Sequence, residues 1–72
     1  MIEKLQLLND NFIATLQNNP QELKKHQLIK DILNNKDCFL NMEIEVAYSI
    51  LRDLQIPETE LKKIYLELIN PQ

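Results

Sequence analysis

The chain has 72 residues, enough for one hydrophobic core and not for two, so residues 1–72 are expected to form a single domain. Hydrophobic residues make up 44% and charged residues 26%, a balance that excludes a disordered tail. The formal net charge of −3 is poorly suited to a protein that lives on phosphate contacts.

The charge is also uneven. Residues 1–36 hold five lysines against four acids, and residues 37–72 hold three basic groups against seven acids. Thirteen Leu, nine Ile and one Val can feed a core. A chain this short buries only roughly 60% of its unfolded surface, so its stability margin is thin without an added staple. Cys38 is the only cysteine, which excludes an intrachain disulfide, and no Cys/His cluster has metal-ligand spacing. Good helix packing or oligomerisation has to supply what is missing. Met1 to Gln17 has neither the basic start nor the unbroken apolar run of a secretory signal, and no window approaches a membrane span. A reducing, cytoplasmic location is the resulting expectation. The heavy use of Asn, Lys, Ile and Leu is the coding bias of an AT-rich genome and suggests a bacterial or phage source.

Apolar spacing is helical throughout. Glycine is absent, which makes tight hairpin turns hard to build and leaves asparagine as the expected left-handed residue at helix ends. In the first predicted helix, residues 2–17, Ile2, Leu5, Leu8, Phe12, Ile13 and Leu16 share an arc of roughly 140°. Asn9-Asp10-Asn11 interrupts it, because such side chains compete for backbone hydrogen bonds, and a late start or a bend is expected there. Asn19 is expected to cap a second helix, residues 20–34, with Pro20 at its first position and Glu22 three residues after the cap. Leu23, Leu28, Ile29, Ile32 and Leu33 form its stripe, and Asn34-Asn35 its stop.

Lys36 to Leu40 reads as a loop or an extra helical turn with Cys38, Phe39 and Leu40 tucked inward. Asn41 is expected to cap a third helix, residues 42–54, in which Ile44, Ala47, Leu51 and Leu54 are spaced for one face. Ile56-Pro57 stops it, since a residue before proline is pushed out of the helical region. A fourth helix, residues 57–69, opens with Glu58 and Glu60 against the positive end of its dipole and carries Leu61, Ile64, Tyr65, Leu68 and Ile69. The expected fold is therefore all-α: a compact bundle or orthogonal array of about four short helices.

No residue constellation points to catalysis, a cofactor or a small-molecule substrate, and the expectation is a protein that is not an enzyme. His26 is the only histidine, and it reads as a half-exposed helical residue beside Lys24 and Lys25 rather than a general base. Cys38 reads as a small buried apolar residue rather than a reactive thiol. Glu43 and Glu45 are two apart on a helix, as are Glu58 and Glu60, so neither pair can share a substrate. Tyr48 and Tyr65 are too few to stack bases and suit a core or an interface rim.

One feature stands out. The apolar faces of the third and fourth helices span roughly 200° once Val46, Ile50 and Leu66 are included, where a small monomer needs little more than 100°. Either one helix lies centrally and is covered by its own chain, or the surplus meets a partner. The expected function is a protein–protein interaction module, an adaptor, inhibitor, regulator or scaffold. It self-associates as a dimer or docks on a larger protein through Val46, Ile50, Tyr48, Leu66, Tyr65 and Ile69. The alternative is a transcriptional regulator that contacts DNA through Lys24, Lys25 and Lys30, although Glu43 and Glu45 would open its recognition helix and repel phosphate.

Overall fold

Helical periodicity and asparagine punctuation produce five helices in the computed structural model, which describes residues 2–69. They are α1 (Ile2–Thr15), α2 (Pro20–Asn34), α3 (Lys36–Asn41), α4 (Ile44–Asp53) and α5 (Glu58–Ile69). No strand occurs among the described residues. The radius of gyration, 11.9 Å, is close to the about 11 Å of a folded chain this long, so the helices are collapsed on one another.

The boundaries differ from the sequence expectation at places with clear causes. Helix α1 runs unbroken through Asn9-Asp10-Asn11, because Asn9 spends its side chain on a neighbouring helix rather than on its own backbone. It ends at Thr15, two residues early, where the Thr15 hydroxyl donates to the Phe12 carbonyl at 3.0 Å and the Gln17 amide to the Ile13 carbonyl at 2.8 Å. Those bonds satisfy two carbonyls that the helix end would leave open. At the start of α2 the Asn19 side chain accepts from the Glu22 N–H at 3.3 Å, as the cap requires. The Glu22 carboxylate turns instead to Lys25, at 2.7 Å.

Asn35 both stops and starts a helix. Its N–H donates to the Ile32 carbonyl, and its side-chain oxygen accepts from the Cys38 N–H at 3.3 Å, which makes Lys36–Asn41 a true helix. Of the three residues expected to turn inward there, Phe39 does, at 1% exposure, whereas Cys38 is exposed and Leu40 half-buried. In so short a helix only one face can reach the core, and Phe39 takes it. Because Asn41 is consumed in α3, α4 begins at Ile44 with Glu43 as a cap that makes no side-chain bond. Helix α5 begins one residue late, with the Pro57 carbonyl accepting from the Glu60 N–H at 2.9 Å.

Asparagine does not supply the left-handed residue. Asn19 and Asn35 have φ of −127° and −111°, and the only positive φ among the described residues is 66° at Gln55. There the Gln55 N–H donates to the Arg52 carbonyl at 2.9 Å and the Ile56 N–H to the Leu51 carbonyl at 3.1 Å. This is a Schellman ending, with Ile56 folded back onto the core beside Leu51.

The core is formed by Leu5, Ile29, Leu33, Phe39, Leu61 and Leu68 around Ala47, Ile50, Leu51 and Leu54 of the α4 segment. The last four fall within about 100° on the helix wheel. Helix α1 packs chiefly on α2, and α5 returns alongside α4. Leu28, placed in the α2 stripe by its spacing, is 61% exposed: it lies about 130° from the buried arc of His26, Ile29 and Leu33.

Gln55 identifies the cheapest stabilising change in the chain. Gln55→Gly removes the side-chain penalty of a left-handed backbone and is expected to raise unfolding free energy by about 0.5–1 kcal/mol, read as a higher urea midpoint at unchanged slope.

Candidate functional site

The six residues singled out on the last two long helices do not form one patch. Ile50 is only 6% exposed and belongs to the core, which removes it from any interface. Val46 is 47% exposed, but the helix wheel puts it about 160° from Ile44, on the same flank of α4 as Asp53, whose carboxylate reaches Lys25 of α2 at 3.6 Å. The broad apolar face of α4 therefore has an internal cause: its centre is core, and its two flanks meet different neighbours.

What does come together is the seam between α4 and α5. The Tyr48 and Tyr65 rings meet edge to face, with centroids 5.6 Å apart and an 85° interplanar angle. Tyr48 carries Arg52 on its other side, at 5.9 Å from the ring centroid, and Arg52 Nε donates to the Glu58 carboxylate at 2.7 Å across the interhelix turn. Farther from that ion pair, one turn beyond each tyrosine, Ile44 precedes Tyr48 on α4 and Ile69 follows Tyr65 on α5. The seam is thus polar at the turn end and apolar at the other, where Ile44 is 47% exposed and Ile69 half-buried. Leu66, 44% exposed, lies about 60° beyond Ile69 on the outer side of α5. Sequence reasoning used Ile44 as a core position; its four-residue spacing from Tyr48 was the signal for the seam.

Two of the three lysines named for nucleic acid lie beside carboxylates. Lys25 lies 2.7 Å from Glu22 and 3.6 Å from Asp53, and Lys30 lies 3.9 Å from Asp10. Glu22 and Lys25 hold each other's charged forms, the carboxyl titrating below and the ammonium above their usual ranges. Lys24 and Lys25 border an open depression of about 620 Å³ on α2 together with Gln21, Gln27, Leu28 and Asp31.

A buried polar couple joins α1 to α2. Asn9 is 0% and His26 3% exposed, so His26 is not the half-exposed residue its lysine neighbours suggested. Asn9 Nδ2 donates to the His26 carbonyl oxygen at 2.9 Å. That leaves Asn9 Oδ1 to face His26 Nδ1 at 2.8 Å, so Nδ1 carries the ring proton and donates. Phe12 stacks on the same imidazole, centroids 5.0 Å apart and 20° from parallel. Both polar residues stand on apolar stripes, Asn9 four after Leu5 and His26 three before Ile29, and that shared misplacement was the signal available in the sequence.

Desolvation, and then the Lys25 charge, push the His26 imidazole below the usual histidine range, so the neutral ring is the folded form. Among the described residues no three His, Cys, Asp or Glu side chains are grouped to hold a metal ion, and no helix is long and apolar enough to cross a membrane. Comparison of the chain with protein-family models, curated proteins and solved structures gave no match.

Asn9→Leu keeps approximate volume but strands the buried Nδ1–H of His26. It is expected to cost about 1–3 kcal/mol in chemical denaturation, and His26→Ala in the same background to cost clearly less than His26→Ala alone.

Proposed function

We propose that this chain is a non-enzymatic protein-interaction module that docks through the seam between α4 and α5. The observation that carries the reading is the line Ile44, Tyr48, Tyr65 and Ile69, an apolar and aromatic strip at the surface with an ion pair, Arg52–Glu58, closing one end. Aromatic residues that are half-buried in the free chain supply large contact area at little entropic cost, and an apolar centre beside a polar rim is the usual anatomy of an interface. A second copy of the same chain is the partner this strip fits most simply. A two-fold axis across the seam sets each tyrosine pair against its own equivalent, and covering the strip adds apolar burial to a domain whose own core is small. A reducing cytoplasm suits such a protein, since its exposed thiol, Cys38, stays free there.

Sedimentation velocity over a micromolar concentration series tests this directly. The wild type is expected to move from monomer to dimer, and Ile44→Glu or Leu66→Glu to weaken dimerisation at least tenfold, about 1.4 kcal/mol. Both substitutions sit at exposed positions, so folding stability should stay within about 0.5 kcal/mol of wild type. A chain that remains monomeric throughout the series, with the variants indistinguishable from it, refutes self-association through the seam.

A further inference from the structure

The α1–α2 contact contains the only titratable side chain among the described residues that is buried in the core. Three things converge on it. The neutral His26 ring is held by Asn9 at 2.8 Å through Nδ1 and covered by Phe12 at 5.0 Å, and it is 3% exposed. From α1 it meets only those two uncharged groups, because the neighbouring Asp10 carboxylate is directed to Lys30 at 3.9 Å. The charges that act on it are Lys25 and Glu22 on its own helix and Asp53 on α4, and both carboxylates are already engaged by the Lys25 ammonium, at 2.7 Å and 3.6 Å. Two carboxylates against one ammonium favour a charged ring, but the loss of hydration on burial outweighs them and holds the imidazole neutral.

We propose that the Asn9–His26–Phe12 cluster is an acid-sensitive latch: a proton taken from solvent onto His26 Nε2 loosens α1 from α2 while α4 and α5 stay folded. The added charge lies beside Lys25 on a ring that is only 3% exposed, and the route to fuller hydration is for the ring to swing outward. That movement breaks the bond to Asn9 and the stack on Phe12 together. Helix α1 is the element released because it packs chiefly on α2 and contributes only Leu5 and Asn9 to the buried interior, whereas the α4 segment contributes Ala47, Ile50, Leu51 and Leu54. Release uncovers Leu5 on α1 and Ile29 and Leu33 on α2, an apolar surface that is closed at neutral pH. This latch stands independently of the α4–α5 seam.

The sign follows from linkage. The opened state takes up the proton near the ordinary histidine value of about 6.5, and the closed state only at lower pH, so the closed form loses stability as pH falls from about 6.5 through the folded-state value. The Glu22 carboxyl, held below its usual range by Lys25, stays ionised across this window.

Nuclear magnetic resonance on the full chain, from about pH 7.5 to about pH 5.5, reads both halves of the proposal. The His26 ring resonance should titrate with a midpoint below about 6.5. Amide protection, corrected for intrinsic exchange, should fall severalfold or more for residues 5–12 and stay level for residues 50–54. His26→Gln keeps a donor toward Asn9 and removes the titration, so α1 protection should become independent of pH. If that variant does not fold, the wild-type midpoint and the α1-to-α4 comparison decide alone. A midpoint at or above 6.5, constant α1 protection, or parallel loss in α1 and α4 would each overturn the latch.

Discussion

The attachment of α1 depends on a polar contact at a place where an apolar one would be simpler. Leu5 brings α1 into the core, and Gln6 adds a bond from its amide nitrogen to the Leu33 carbonyl at 3.2 Å, but the centre of the contact is the Asn9–His26 couple. Two leucines in that space would bury more hydrocarbon and need no partner. The Asn9 amide and His26 Nδ1 are instead satisfied across the two helices, and no buried side-chain nitrogen or oxygen among the described residues lacks a partner. Sliding α1 by one residue would break the contact, so the couple fixes the register of two helices whose apolar stripes alone tolerate several alignments.

Register on the other side of the molecule is set by different means. The α4–α5 turn is closed by backbone bonds from Gln55 and Ile56 and by the Arg52–Glu58 pair, and it needs no buried polar side chain. A salt bridge whose side chains are 46% and 71% exposed contributes little to stability in water. The turn's geometry comes from the left-handed Gln55 and from Pro57, which holds the preceding residue out of the helical region. A chain without glycine has accepted a strained glutamine there, in return for Ile56 packing against the core and its N–H reaching the Leu51 carbonyl.

The helices and most of their ends could be read from periodicity and from Asn19, Pro20, Asn35 and Pro57, since those signals are local. The errors arose where one side chain had two possible uses. Asn9 was expected to disturb its own helix and instead serves another; Asn41 was expected to start α4 and instead finishes α3; Cys38 was expected inside and lost the inward position to Phe39. Such choices are settled by tertiary contacts, which spacing along one helix does not encode. The wide α4 stripe is the same lesson at the surface: Val46, Ile50 and Tyr48 belong to one broad apolar arc on a helical wheel, yet they serve one flank, the core and the opposite flank. Of the candidate interface, Tyr48, Tyr65 and Ile69 were legible, while their continuity with Ile44 required knowing that α5 folds back along α4.

These two modes of fastening divide the molecule energetically. The α4 segment carries the largest share of the buried core residues, and breaking it away exposes their apolar surface, a loss that scales with area at about 25 cal/mol per Å². Helix α1 rests on fewer core residues and on a couple whose strength depends on the charge state of one imidazole. On the proposed latch, local opening follows the weaker attachment at α1 while the α4–α5 hairpin stays closed. A rigid hairpin is the better platform for a recognition strip, because aromatic side chains already held in place lose little freedom on contact. On these two proposals, the polar fastening of α1 serves opening and the apolar fastening of the α4–α5 hairpin serves docking.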